Sequence, residues 1–171
     1  MLKRVLLLLL IIVGRAIPAA AQDLKPEADL KAAFIYNFTK YIEWTNPEPE
    51  NFVIGVIGSS PIYESLMEIA LLKKVNEKFI VVKRFENPED ITYCNILFVA
   101  RNSGYSPATI LDRVQRGTLT ISEETGFAAQ GMAFNFIITN QKLKFEVNTK
   151  AINAAGLKAS SQLLKLATII N

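Results

Sequence analysis

The feature that most constrains this chain is an uninterrupted apolar run at residues 52–58, Phe-Val-Ile-Gly-Val-Ile-Gly. Strands with one face in water alternate apolar and polar residues, whereas strands buried on both faces do not. The run is short and rich in β-branched residues, which favours a strand over a helix. Similar runs at residues 95–100 and 118–121 predict further buried strands. Such strands are typical of a parallel sheet covered by helices on both faces.

Helices are predicted between these strands. Apolar residues recur at three- and four-residue steps over residues 26–43, which predicts a first helix. Ser60, followed by a proline, predicts the start of a second helix that runs to about residue 73. A strand is predicted over residues 78–85 and a further helix over 107–115. This alternation indicates an α/β fold with right-handed crossovers.

The C-terminal third has a different pattern. Two runs of alternating apolar and polar residues, 132–138 and 143–147, flank the polar pair Asn140-Gln141. This pattern predicts an antiparallel β-hairpin that extends the sheet. Because no repeat or linker interrupts the sequence, we predict one domain over residues 22–171. Its architecture should be an α/β three-layer sandwich, a mostly parallel sheet with a C-terminal antiparallel hairpin.

Two more helices are predicted after the hairpin. Asn148 or Thr149 should cap a short one, because these side chains accept hydrogen bonds from free backbone N–H groups. Ser160 or Ser161 should cap a last helix whose apolar residues continue to residue 169.

Residues 1–21 predict an export signal. A positive region ending at Arg4 precedes nine aliphatic residues, Val5 to Val13, and Ala19-Ala20-Ala21 supplies a small-residue cleavage site. The apolar run is shorter than the roughly 20 residues that a spanning helix needs, although a retained N-terminal anchor is the alternative. We predict cleavage near Ala21 and an extracytoplasmic mature chain.

Composition excludes several classes of chemistry. The 171 residues include no His and one Cys, which excludes Ser-His catalysis, His-metal chemistry, a Cys-cluster zinc site and a disulfide framework. The formal charge of +3 equals the three basic residues of the leader, so the remaining 16 basic and 16 acidic residues cancel. A neutral domain gives no support to nucleic-acid binding. We predict no catalytic residue, metal site or cofactor, and expect acidic pairs such as Glu123-Glu124 to be solvated loop charges.

The turn Gly58-Ser59-Ser60 is a candidate ligand site. Open α/β sheets usually bind ligands at the carboxyl ends of their strands, and a helix N-terminus offers N–H groups to an anion. The third Gly of a dinucleotide motif and the Gly-Lys-Ser/Thr of a P-loop are missing. A tight packing turn is therefore the alternative.

Several segments in fixed order resemble the YfiR family. The similarity covers nearly all of residues 28–168. The matching segments are AFIYNFTKYIEW at 33–44, the strand at 52–58, CNILFV at 94–99, Phe127, Gly131 and Met132 before the hairpin, FEVN at 145–148, Ala151, AGLK at 155–158 and SSQLLKLA at 160–167.

The resemblance implies a small periplasmic α/β protein without catalytic activity. A YfiR-type regulator binds the periplasmic domain of an inner-membrane diguanylate cyclase and holds it inactive, and its release raises cyclic di-GMP and promotes biofilm formation. Other relatives pair with membrane sensors such as histidine kinases. Members are often dimeric, which leaves a homodimer open for this chain. The alternative function is a periplasmic small-molecule-binding sensor.

By position, the resemblance assigns partner binding to Glu146 and Ile152, on the C-terminal strand and the helix that follows. Successive side chains of a strand face opposite sides of the sheet, so Glu146 can be exposed while its neighbours anchor the core.

The resemblance also bears on a ligand pocket and on disulfides. Lys158 falls near the family's proposed small-ligand pocket, where relatives often carry Arg, and Lys cannot reproduce a bidentate anion grip. A YfiR-type regulator of this family pairs the Cys of its central strand with a Cys on its first strand. Here that position is Gly55, so Cys94 has no partner within the chain and should be buried, with pairing to another chain as the alternative.

Overall fold

The computed structural model describes residues 24–44 and 50–170, so the leader predicted at 1–21 lies outside the described residues. In this part of the chain the helices are α1 Leu24–Phe38, α2 Ile62–Leu72, α3 Pro107–Leu111, α4 Thr149–Ala154 and α5 Ser161–Leu164. The strands are β1 Ile42–Trp44, β2 Phe52–Ile57, β3 Lys74–Val75, β4 Lys78–Phe85, β5 Ile96–Val99, β6 Leu119–Ser122, β7 Phe134–Thr139, β8 Lys142–Asn148, β9 Leu157–Ala159 and β10 Thr168–Ile170. None of these helices is long and apolar enough to cross a bilayer.

An eight-stranded sheet in the order β10-β8-β7-β6-β5-β2-β4-β3 forms the centre of the described fold. Neighbours from β4 to β7 pair in parallel. β7 and β8 form an antiparallel hairpin in which Phe136 lies opposite Phe145. β10 then returns parallel to β8. The predicted sheet, mostly parallel with a C-terminal antiparallel hairpin, is confirmed.

β2 explains the layered architecture, because all six of its residues are buried. Phe52 and Ile54 pack into a core with residues of α1 and α2. Val53 points to the opposite face, into a second core that contains Ile110 of α3. Alternate residues of one strand therefore serve two faces, and helices cover both. The predicted α/β sandwich is confirmed.

An aromatic cluster joins the first helix to the last hairpin. The ring of Phe38 on α1 lies 4.8 Å from that of Phe134 and 5.0 Å from that of Phe145, centroid to centroid. Phe34, one turn earlier, lies 6.2 Å from Phe136 in an edge-on contact. These tilted and edge-on contacts add to the burial of apolar area and fix α1 across β7 and β8.

The predicted caps of the last two helices and the predicted hairpin turn are confirmed. Asn148 Oδ1 accepts from the N–H of Ala151 at 3.0 Å at the start of α4, and Ser160 Oγ caps α5 in the same way. Asn140 and Gln141 both have positive φ, 50° and 60°. Two such residues form the tight turn whose twist matches that of the flanking strands.

The first predicted helix is too long. α1 ends at Phe38, where Thr39 Oγ1 donates to the carbonyl of Tyr36 at 2.6 Å. The residues beyond this turn form β1, which pairs antiparallel with β9 in a separate two-stranded sheet. A partner more than a hundred residues away thus overrides the local helical pattern, since Glu43 lies opposite Lys158.

The helices predicted over 107–115 and up to residue 169 are also too long. α3 ends at Leu111 and α5 at Leu164. Beyond α5, Thr168–Ile170 form β10 at the edge of the sheet. Three consecutive β-branched residues suit that extended conformation once β8 offers an edge.

Candidate functional site

The carboxyl ends of β2 and β6 border a cavity of about 290 Å³ that α1 closes from one side. Ser59 and Ser60 line it, as do Arg101 and Asn102 from the turn after β5. Gly58 makes the sharp turn out of β2 with a φ of +86°, a conformation that side chains rarely adopt. The sequence prediction therefore places the two serines correctly at the carboxyl edge, where ligand binding stays a prediction.

A buried charge cluster forms one wall of this cavity. Lys31 of α1 is only 4% exposed, and its Nζ forms ion pairs with Glu27 and Glu123. The second oxygen of the Glu123 carboxylate accepts from the backbone N–H of Arg101 at 2.9 Å. The side chain of Glu123 is 9% exposed, so the expectation of a solvated loop charge was wrong for this residue.

The cavity offers hydroxyl groups and charges of both signs. Ser60 Oγ already accepts from the N–H of Ile62 at 3.3 Å, at the start of α2. The carboxylates of Glu27 and Glu123 are held by Lys31 rather than by a hydroxyl or thiol. Such a site can bind a small polar molecule, but these contacts activate no nucleophile. Within residues 24–44 and 50–170 no cluster of acidic and Cys side chains could hold a metal ion.

Lys158 lies in a different part of the molecule. It sits on β9, where its Nζ lies 3.4 Å from a carboxylate oxygen of Glu43 on β1, and both side chains are exposed. Residues of β1 and β9 line a second cavity of about 370 Å³. The neighbouring Trp44 donates to the carbonyl of Asn95, at the amino end of β5. Lys158 thus lies at the end of the sheet opposite Ser59, and the structure does not bring the predicted ligand-binding residues together.

Glu146 is half-buried on β8 rather than freely exposed. One oxygen of its carboxylate accepts from Nδ2 of Asn135 at 3.1 Å, and Asn135 is fully buried. The strand register places Ser122, Asn135, Glu146 and Thr168 in one polar row across four strands. Sequence reasoning missed this row, which fixes the orientation of the Glu146 carboxylate.

Ile152 belongs to the core. It lies on α4 with an exposed fraction of 2% and packs in the same core as β8. A partner could therefore contact it only after α4 has moved, whereas Glu146 is reachable in the structure as it stands. The partner-binding role of both residues stays a prediction.

Cys94 is buried and unpaired, as predicted. Removal from water raises the pKa of its thiol to about 12, because a buried thiolate would lack solvation. A Cβ built on Gly55 would lie 3.3 Å from Sγ of Cys94. Residue 55 and Cys94 are therefore neighbours, as expected if Gly55 occupies the position of the first-strand Cys in the resemblance.

A family model described as YfiR/HmsC-like matches residues 28–168, which reach from α1 into β10, and confirms the resemblance drawn from the sequence. No curated protein sequence is significantly similar to the chain.

A solved structure with a similar fold is the ABC domain in complex with L-Trp from Streptococcus pneumoniae. The TM-score is 0.55 at 13% sequence identity. The alignment covers 84% of this chain and 60% of the other, so this chain spans about three fifths of its length. At that identity the likeness concerns the fold alone.

Proposed function

Because this chain belongs to the YfiR/HmsC-like family, we propose that it is a periplasmic regulator in cyclic di-GMP signalling. It would bind the extracytoplasmic domain of an inner-membrane signalling protein, a diguanylate cyclase, and hold it inactive. The observation that carries this proposal is the family match over residues 28–168, which includes strands β2 to β8 of the central sheet and reaches into β10. We further propose that residues 1–21 are the export signal, cleaved near Ala21, and that residues 22–171 form one domain.

The proposed mechanism is occupancy without catalysis. A bound regulator shifts a sensor only through different affinities for its two signalling states. Glu146 suits such a contact, because Asn135 holds its carboxylate in one orientation and less side-chain entropy is lost on binding. Ile152, buried behind β8, would support this surface from within. The lack of His in the sequence and the mutual ion pairing at the carboxyl edge also favour a non-catalytic role.

The decisive experiment is affinity capture of the tagged protein from crosslinked cell envelopes, with cyclic di-GMP measured in the same strains. The wild type should recover an inner-membrane cyclase, and deletion of the gene should raise cyclic di-GMP. The variant Glu146→Lys should reduce recovery at least about tenfold, in the range of a disrupted interface charge. Glu89→Lys, an identical charge change at an exposed residue of the loop after β4, is the matched control.

Both variants must keep the wild-type melting temperature for the comparison to count. Equal recovery with Glu146→Lys and Glu89→Lys would remove Glu146 from the contact surface. Absence of any membrane signalling protein from the wild-type sample would overturn the proposed function. Sedimentation of the purified protein determines whether it acts as a homodimer.

A second candidate function is small-molecule sensing, which the cavity at the carboxyl edge favours. Its volume of about 290 Å³ suits a metabolite of amino-acid or nucleotide size. Thermal-shift measurements with amino acids, L-Trp among them, and with nucleotides test this reading. A ligand should raise the melting temperature of the wild type and not that of the double variant Ser59→Ala, Ser60→Ala. Flat melting temperatures throughout would argue against it.

A further inference from the structure

Large apolar side chains project from the β3 edge of the sheet. Leu71 and Leu72, at the end of α2, are 81% and 79% exposed, and Phe79 on β4 is 63% exposed. Scattered apolar side chains are normal on a protein surface, but three of this size at one corner are not. We refer to Leu71, Leu72, Lys73, Lys74 and Phe79 as the leucine–lysine corner.

The fold brings these residues together at the amino end of β4. α2 ends at Leu72 and leads through Lys73 directly into β3, which turns back antiparallel onto β4. In this pairing Lys74 lies opposite Phe79, and its Nζ sits 4.5 Å from the centre of the ring. Val75, 4% exposed, anchors the hairpin in the core. The corner is thus a fixed feature of the fold.

The charge around these apolar side chains is mainly positive. Among residues 24–44 and 50–170, neither Lys73 nor Lys74 pairs with a carboxylate. A third lysine, Lys40, lies 4.9 Å over the ring of Tyr36, whose hydroxyl donates to the carbonyl of Lys74 at 3.4 Å. Three carboxylates lie nearby. Glu77 is exposed at the tip of the hairpin. Asp29 and Glu68 line one cavity with Leu72 and Lys73, but both already pair with Lys25.

We propose that the leucine–lysine corner docks on the surface of an anionic phospholipid bilayer. Leu71, Leu72 and Phe79 would enter the boundary between headgroups and acyl chains, while Lys73 and Lys74 contact lipid phosphates. Long lysine side chains cover apolar surface with their stems and keep the ammonium group among the headgroups. Apolar burial together with attraction to anionic lipid is the physical basis of such peripheral binding.

Charge complementarity favours a bilayer over a protein as the occupant. Protein interfaces are depleted in lysine, whereas surfaces that meet anionic lipid are enriched in it. Three projecting side chains also provide less area than a stable protein interface requires. The corner lies at the opposite edge of the sheet from β8 and β10. A docked molecule would therefore leave Glu146 free, and the docking does not depend on the partner proposed above.

The test is co-sedimentation of the exported protein, purified from the periplasmic fraction, with vesicles. Vesicles of phosphatidylethanolamine and phosphatidylglycerol should bind the wild type, and neutral phosphatidylcholine vesicles should bind it more weakly. Binding should fall as salt rises, because the lysine contribution is screened. The variant Lys73→Gln, Lys74→Gln should reduce partitioning about thirtyfold, from the usual contribution of a lysine near an anionic surface. Leu71→Ser, Leu72→Ser should reduce it by at least as much.

Matched controls lie at the far edge of the sheet. Lys142→Gln, Lys144→Gln removes two exposed lysines of β8, and Leu166→Ser removes an apolar side chain that is 75% exposed. Both should partition like the wild type, and all variants carry the same N-terminus. Equal partitioning of corner variants and controls, or no binding by the wild type, would overturn the proposal. So would a dimer that dissociates in Leu71→Ser, Leu72→Ser without any vesicle binding, since the occupant would then be a second copy.

Discussion

Lys31 on α1 and Glu123 after β6 form a buried ion pair, although they lie 92 residues apart in the chain. Burial of both partners removes the solvent that would otherwise stabilise each charge alone. This pair therefore links α1 to the carboxyl edge of the sheet, and the energetic cost of breaking it should be high.

Replacement of Lys31 by Met should lower the free energy of unfolding by about 3–5 kcal/mol, because Glu123 is left as an uncompensated buried charge. Urea denaturation measures the change. Lys25→Met is the control on the same helix, since the Lys25–Asp29 pair is exposed and its loss should change the stability little. The double variant Lys31→Met, Glu123→Leu should recover much of the loss. A cost for Lys31→Met no larger than that for Lys25→Met would contradict this account.

Because the thiol of Cys94 is buried, we expect the free energy of unfolding to fall in alkaline solution. Burial raises its folded-state pKa to about 12 from an ordinary value of 9.0, so the unfolded chain loses the thiol proton first as pH rises. The contribution of the protonated thiol to stability is fully present below pH 9.0, and it is lost as pH rises through the folded-state pKa of about 12. The stability of the wild type relative to Cys94→Ala should therefore fall above pH 9.0, by up to about 1.4 kcal/mol per pH unit. If the stability difference between the wild type and Cys94→Ala stayed constant above pH 9.0, the buried thiol would not be the cause.

Any side chain larger than that of Gly55 would conflict sterically with its neighbours in the second core. A Cβ at this position would lie 2.6 Å from Cε2 of Phe85 and 3.1 Å from Cδ1 of Leu97. Gly55→Ala should thus cost about 1–3 kcal/mol, the usual penalty for overpacking. In a Phe85→Leu background the same substitution should cost less than about 1 kcal/mol, because the conflicting ring atom is gone. Equal costs in the two backgrounds, measured by denaturant titration, would locate the strain elsewhere.

One substitution in the turn between β7 and β8 should stabilise the protein. Gln141 adopts a φ of 60°, where a side chain is strained, and Asn-Gly is the preferred pair for such a turn. Gln141→Gly should raise the free energy of unfolding by about 0.5–1 kcal/mol, since the relieved strain exceeds the added entropy of the unfolded chain. Lys142→Gly, one residue into β8, should instead lower stability. Melting temperatures of the two variants should therefore move in opposite directions.

Local patterns predicted most of the sheet and its caps. β2 needs no partner to be recognised, because a short β-branched run that is apolar on both faces suits few other environments. Asn148 and Ser160 were also identifiable, since capping depends on backbone groups only three residues away. The ends of α1 and α5 were not predictable in this way. β1 and β10 exist because β9 and β8 provide edges, and a strand partner distant in sequence leaves no local trace.

The candidate site was predicted only in outline. Ser59 and Ser60 follow from the rule that ligands meet α/β sheets at strand ends. In the sequence, Lys31 resembles any other lysine of a helix. Only its spacing of four residues from Glu27 indicates an ion pair. The third member, Glu123, stands in a polar loop, and nothing in that loop indicates burial. Long-range pairing of charges therefore had to be observed in the structure.

The aromatic cluster between α1 and the β7–β8 hairpin also determines when this protein can assemble. Phe38 meets Phe134 and Phe145, roughly a hundred residues further along, so the main core stays incomplete until nearly the whole polypeptide has been delivered. Contacts so distant in sequence are slow to form. The main core of the folded protein can therefore form only late in synthesis, once the C-terminal third has been made.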